Sequence, residues 1–202
     1  MTTTPRIAII IGSTRDARFG AKPAQWILDK AAARGDWDVE LVDLKDFDLP
    51  LFNEVASNAW APSEDSRAVA WQKKMDEFDG YIFVTPEYNR SITGALKNAL
   101  DQAYTEWNRK AFGIVSYGSV GGTRAAEHLR TIGIELQMAS TRSAVHVGGS
   151  DFFAVHPLGG QNKELTDIEG SIGPSAQAML DELNWWTRAT MTARTDVQAK
   201  AA

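Results

Sequence analysis

Cysteine is absent from the 202-residue chain, so disulfides, thiol catalysis and cysteine-ligated zinc or iron–sulfur centres are excluded by composition alone. Histidine is scarce. His128, His146 and His156 show no metal-ligand spacing, and no metal site is expected. No apolar run approaches the roughly 18 residues of a membrane span. The stretch from Met1 to Arg6 carries neither the charged nor the apolar part of a signal peptide, so a cytoplasmic protein is expected. A basic excess is missing too: 21 Lys+Arg against 26 Asp+Glu leaves a net charge of −5. That balance argues against nucleic acid or an anionic membrane as partner, since both require a basic face. Repeats, low-complexity tracts and linkers are also lacking. Residues 1–202 therefore read as a single domain, long enough for one buried core.

Five short apolar segments, at 7–11, 39–42, 81–84, 112–117 and 144–147, read as strands. The run Ile7-Ala8-Ile9-Ile10-Ile11 has no polar alternation, which suits a parallel strand covered on both faces. Between the strands lie helical patterns at 21–33, 67–78, 93–104 and 123–136, and a final helix spans about 174–194. Met179, Leu183 and Trp186 form an apolar stripe on that last helix, expected to dock on the sheet as core. Alternating β and α segments with short links predict an α/β, doubly wound sheet of five parallel strands, with helices on both faces and order 2-1-3-4-5. Two longer segments, 44–66 and 148–173, read as loops rich in Asp, Asn, Gly and Pro that could line a site.

In such a sheet the loops after strands one, three and four meet at the switch point, where ligands bind. The first is Gly12-Ser13-Thr14-Arg15-Asp16-Ala17-Arg18-Phe19-Gly20, leading into a helix. Free N–H groups at a helix start, two hydroxyls and two arginines suit a phosphate. Neither Gly-x-x-x-x-Gly-Lys-Ser/Thr nor Gly-x-Gly-x-x-Gly is present, so the loop is not a Walker A or a dinucleotide fingerprint. Asp43, at the end of strand two, reads as a turn residue. The loop after strand three, Pro86-Glu87-Tyr88-Asn89, offers a fixed chain direction and an aromatic face. After strand four, Gly118-Ser119-Val120-Gly121-Gly122 lets backbone amides approach a ring edge. A phosphate joined to a flat, polar-edged ring describes FMN.

Ser13-Thr14-Arg15, the Pro86-Glu87-Tyr88-Asn89 loop with the Leu96-Lys97-Asn98-Ala99-Leu100-Asp101 helix, and Ser116-Tyr117-Gly118 followed by Gly121-Gly122 resemble the NADPH-dependent FMN reductase family. This flavodoxin-like group includes quinone, chromate and azo-dye reductases, and the similarity runs over roughly residues 6–148. The resemblance implies that Ser13, Arg15, Arg18, Phe19 and Gly20 bind the FMN phosphate. It implies that Pro86, Glu87, Tyr88 and Asn89 wrap the ribityl chain and ring, with Gly118, Ser119 and Gly122 along the other edge. It further implies NAD(P)H as co-substrate, a small-molecule electron acceptor, and a homodimer or homotetramer with the 93–104 helix near the interface. Arg18 stands where many relatives carry serine, and Thr93 where many carry proline; threonine also suits a helix start. Hydride exchange through the cofactor predicts a ping-pong scheme that requires no side chain as catalytic acid or base. Glu87 is the ionisable residue of the loop, a candidate for shaping it as much as for moving a proton.

Two other readings follow from the same residues. Tyr117-Gly118-Ser119-Val120-Gly121 partly imitates a nucleophile elbow, with Asp151 and His156 following in hydrolase order, but Tyr117 replaces the first glycine. A flavodoxin-like electron carrier would bind FMN the same way and lack a nicotinamide site. Such a carrier favours a strongly acidic face, for which −5 is weak. Of the histidines, His128 is expected on a helix surface, His146 as a hydrogen-bonded sheet-end residue, and His156 in a loop within reach of the cofactor face. Lys97 and Asp101 are expected to pair at i, i+4.

Overall fold

Residues 7–11 are buried on every side because successive side chains point to opposite faces of the sheet. Ile7, Ile9 and Ile11 enter one core, while Ala8 and Ile10 enter the other. The computed structural model describes residues 4–201, with side chains described to residue 196. The ends of the domain expected over 1–202 thus lie outside the described residues. The strands are β1 (Arg6–Ile11), β2 (Asp38–Asp43), β3 (Gly80–Pro86), β4 (Ala111–Tyr117), β5 (Ala139–Ser140) and β6 (Val145–Val147). The helices are α1 (Ala21–Ala33), α2 (Ser66–Asp76), α3 (Gly94–Asp101), α4 (Thr123–Glu135), α5 (Gly149–Val155) and α6 (Glu169–Ala201).

All strand pairings are parallel and the order is β2-β1-β3-β4-β5, as the sequence predicts. The fifth position differs in detail. Two short strands occupy it in tandem, since both β5 and β6 pair with β4. The chain between them bulges out because the Glu182 carboxylate of α6 takes the amides of Arg142 (2.7 Å) and Ser143 (2.9 Å). Side chains of α1, α5 and α6 cover one face of the sheet, and those of α2, α3 and α4 cover the other.

Several boundaries depart from the sequence reading. α3 ends at Asp101 rather than residue 104, because the Trp107 indole donates to the carbonyls of Leu100 (3.2 Å) and Ala103 (3.0 Å). α2 stops at Asp76, two residues early, where the buried Lys110 ammonium donates to the carbonyls of Met75 (3.2 Å) and Asp76 (3.4 Å). The segment 148–173 is not a plain loop, since it contains α5, two 3₁₀ turns and the first turn of α6. α6 accordingly begins at Glu169, with Pro174 inside the helix as its sixth residue, where it forgoes one i→i−4 backbone bond. Met179 and Leu183 are fully buried on the sheet, with Trp186 packed against them.

Candidate functional site

The three loops at the carboxyl edges of β1, β3 and β4 are stitched together by backbone. The Gly12 amide donates to Val84 O (2.8 Å), and the Glu87 amide donates to Tyr117 O (3.1 Å). Thr93 ties the first loop to α3: its hydroxyl donates to Gly12 O and accepts from the Leu96 amide (2.9 Å). Threonine thus caps the helix as expected and also fixes the start of the first loop.

Within the first loop, between Gly12 and Gly20, only the Arg18 amide finds a backbone acceptor among the described residues, Arg15 O at 3.2 Å. Thr14 to Ala17 are exposed, and free amides beside a helix start form a cradle suited to an anion. The Ser13 hydroxyl is buried and meets only the Tyr88 hydroxyl, at 3.5 Å, so it retains capacity for a ligand. Arg15 is exposed, and its guanidinium lies 5.5 Å from the Tyr88 ring centroid and forms no hydrogen bond or ion pair among the described residues. Arg18 is differently placed. Its guanidinium forks onto Asp43, with one bond of 2.7 Å, and donates to Ser13 O at 3.1 Å. Asp43 also caps the Lys45 amide at 2.9 Å, so it is a turn residue that doubles as an anchor for Arg18.

Phe19 is a core residue rather than a surface one. Its ring meets Tyr117 edge-on at 5.2 Å and Phe152 at 6.2 Å, with His156 at 5.1 Å. Gly20 leaves room for Tyr117: a Cβ there would lie 2.7 Å from the phenol oxygen. Burial pushes the Tyr117 phenol well above its ordinary range, the Tyr88 phenol adding to the rise and Arg15 and Arg18 opposing it.

Pro86 closes β3. Tyr88 and Ser91 then exchange backbone bonds of 2.9 and 3.0 Å across a tight turn whose central residues, Asn89 (φ 49°) and Arg90 (φ 71°), are left-handed. The Glu87 side chain is 7% exposed and held by Arg124 on α4, through its guanidinium (2.5 Å) and its backbone amide (3.2 Å). In the third loop Gly118, Gly121 and Gly122 all have positive φ, and a Cβ on Gly122 would lie 2.7 Å from Ser116 Cβ. Ser119 is exposed, and the amides of Ser119, Val120 and Gly122 have no acceptor among the described residues. The arrangement offers an anion cradle at one end and a shelf with an aromatic face and free amides at the other. A phosphate-tailed planar ring fits it.

The histidines resolve into three settings. His128, exposed on α4, meets the Ser91 hydroxyl at 2.6 Å. His146 sits at the sheet end, hydrogen-bonded to Ser116 at 2.8 Å, as the sequence suggests. His156 stacks on Phe152 at 4.6 Å and accepts the Leu158 amide at 3.1 Å. Burial draws its imidazole below the ordinary range, and nearby Arg15 adds to that. Asp151 takes the Ser171 hydroxyl at 2.5 Å, so the partners of a hydrolase relay from Ser119 are engaged elsewhere. Lys97 and Asp101 pair at 2.6 Å on a half-exposed surface of α3. Among the described residues no group of three His, Asp or Glu side chains is placed to hold a metal, and no helix is long and apolar enough to cross a membrane.

Sequence reasoning missed Arg124, Ser116 and His146 as parts of the site. Their partners lie 37, 5 and 30 residues away; Ser116 stood in a motif of the resemblance and His146 at a strand end, but neither position showed the partner.

Comparison with known proteins agrees with this geometry. The profile of the family described as NADPH-dependent FMN reductase matches residues 5–151. An NAD(P)H-dependent FMN reductase of Schizosaccharomyces pombe is 32% identical over 180 residues, covering 86% of this chain and 90% of that protein. A quinone reductase of Pseudomonas putida is 29% identical over 197 residues, covering 90% and 94%. Among solved structures, the flavoenzyme NAD(P)H:(acceptor) oxidoreductase FerB of Paracoccus denitrificans aligns with a TM-score of 0.64 at 21% identity, covering 89% of this chain and 97% of that one. That likeness establishes the flavodoxin-like fold. The chain is a flavodoxin-like oxidoreductase, and it belongs to the NADPH-dependent FMN reductase family.

Proposed function

We propose that this protein is an FMN-dependent NAD(P)H oxidoreductase that delivers two electrons to a quinone or a similar small electrophile, such as free flavin, an azo compound or a metal oxyanion. The observation that carries the reading is the three-loop shelf: partner-free amides and the buried Ser13 hydroxyl at one end, Tyr88 and the Gly118, Gly121 and Gly122 turn at the other. Bound FMN supplies the redox chemistry, while the protein supplies position and charge. Ser13, Arg15 and the amides through Phe19 and Gly20 hold the phosphate. Arg18 acts one step back, fixing the loop against Asp43. Pro86, Tyr88 and Asn89 carry the ribityl chain and ring. Glu87, locked to Arg124, shapes that loop, and Gly118, Ser119 and Gly122 present amides along the opposite edge.

An open shelf admits nicotinamide and acceptor in turn, which supports a ping-pong scheme at one site. The segment after β2, held by Asn98 of α3 and by Gln102 just beyond its end, exposes Leu51, Val55 and Trp60, which supports a homodimer or homotetramer with an interface near α3. The decisive experiment is the absorption spectrum of the purified protein, followed by anaerobic addition of NADPH or NADH. A yellow protein bleached by either nucleotide, with parallel-line kinetics against a benzoquinone, is expected. Bound flavin that bleaches only with a partner reductase would reassign the protein as an electron carrier.

A further inference from the structure

Ser116, at the end of β4, is fully buried, and its hydroxyl lies 2.7 Å from Gly121 O and 2.8 Å from His146 Nδ1. A carbonyl only accepts, so the serine proton goes to Gly121. A serine hydroxyl has one proton, and His146 Nδ1 must therefore donate to the serine oxygen. The relay runs His146 Nδ1–H to Ser116 Oγ–H to Gly121 C=O, and it fixes the histidine as the Nδ1–H tautomer. The residues after His146 complete the mould: Gly118 donates its amide to Val147 O at 3.2 Å, and Gly149 donates to Ser119 O at 3.0 Å. Gly148 lies so close that a Cβ on it would fall 2.4 Å from the Gly121 nitrogen.

The consequence follows from peptide geometry. The Gly121–Gly122 bond is trans and planar, so its C=O and N–H point in opposite directions. Pulling Gly121 O inward onto Ser116 aims the Gly122 N–H away from the sheet, where it has no acceptor among the described residues. Both glycines are left-handed, at φ 80° and 69°, a conformation in which the peptide would otherwise turn with little resistance.

We propose that His146 is a positioning residue: through Ser116 it sets the direction of the Gly122 amide, a hydrogen-bond donor aimed at the edge of the bound flavin ring. This rests on the FMN reading above. A donor at that edge favours the ring when it carries more negative charge, so it raises the flavin's midpoint potential. His146 is an exposed residue at the sheet end, and the partial burial of its ring still draws the imidazole below its ordinary range, the nearby Gly121 backbone opposing this and the Arg130 charge adding to it.

Three variants test the relay: His146→Ala, Ser116→Ala, and His146→Asn, whose amide nitrogen can replace Nδ1 as donor. Losing one aimed donor is expected to weaken binding of reduced over oxidised FMN by about tenfold, a drop of about 30 mV in the two-electron potential. His146→Ala and Ser116→Ala should both show it, their combination should be no worse than either alone, and His146→Asn should recover most of it. The Gly122 amide resonance of the FMN-free protein should move in both alanine variants and return toward its original position in His146→Asn. Unchanged potentials in correctly folded alanine variants, or failure of asparagine to restore them, would overturn the proposal. An unmoved Gly122 resonance would overturn it even if the protein bound no flavin, so the relay and the FMN reading fail separately.

Discussion

Arg15 and Arg18 lie three residues apart in one loop, yet the structure gives them different work, and their alanine variants should separate cleanly. Arg15 is exposed and unpaired among the described residues, resting only on Tyr88. Removing it from the FMN-free protein costs at most a surface cation–π contact of about 0.5–1 kcal/mol, so the melting temperature should fall by no more than about 4 °C. Its loss from the complex removes a charge-assisted bond to phosphate worth about 1.5–3 kcal/mol, so the FMN dissociation constant should rise about tenfold to a hundredfold. Arg18 forks onto Asp43, and the two side chains are 16% and 18% exposed. Exposed pairs contribute about 0–1 kcal/mol, while breaking a fully buried one costs about 3–5 kcal/mol. This intermediate pair, with the added bond to Ser13 O, should cost about 2 kcal/mol. Arg18→Ala should then lower the melting temperature of the FMN-free protein by about 4–8 °C. Calorimetry without flavin and fluorescence titration with FMN at two salt concentrations read both effects. Raised salt should weaken wild-type binding more than that of Arg15→Ala, because the lost contact is ionic. An Arg15→Ala variant that melts well below wild type, or an Arg18→Ala variant that melts with it, would refute this division of roles.

Gly122→Ala forces a left-handed alanine into contact with Ser116 and Tyr117, and should destabilise the protein by about 2–4 kcal/mol in urea unfolding. Thr93→Ala removes the cap of α3 and leaves Gly12 O unpaired, a loss of about 2 kcal/mol that Thr93→Ser should largely restore. Lys110 is buried under α2, and burial draws its ammonium down to about 8, against the opposing pull of Asp76. Its folded value lies below the ordinary one, so the fold favours the neutral amine; the penalty is full below about pH 8 and is released as pH rises toward about 10.5. Relative to Lys110→Met, wild-type stability should therefore gain about 2 kcal/mol between about pH 7 and about pH 9.5, measured by urea unfolding. A constant difference across that range would contradict the assignment. Readings belong below about pH 10, where the buried Tyr81 phenol, raised by its own burial, begins to act in the opposite sense.

Much of the architecture was legible because it is written locally. The unbroken apolar run at 7–11 announces a two-sided parallel strand, and the apolar stripe Met179, Leu183, Trp186 announces a helix docked on the core. Thr93 could be recognised as a helix start because the capping bond joins residues three apart. Where element ends were misread, a distant partner decided them. Trp107 closes α3, Lys110 closes α2, and Glu182 draws the chain out between β5 and β6. None of these leaves a trace in the spacing of the segment that it ends.

The candidate site divides along the same line. Glycines, hydroxyls and arginines at the ends of strands one, three and four, together with the right-handed crossover rule, determined from the sequence alone that three loops would meet and what class of ligand they could cradle. The tertiary structure alone decided what each side chain does there: Arg18 turned to Asp43, Glu87 taken by Arg124, and His146 set behind Gly121 through Ser116. The physical reason is range. Backbone propensity and hydrophobic period act over a few residues, whereas a charge or a hydrogen-bonding group chooses its partner from whatever the folded chain brings within about 3 Å.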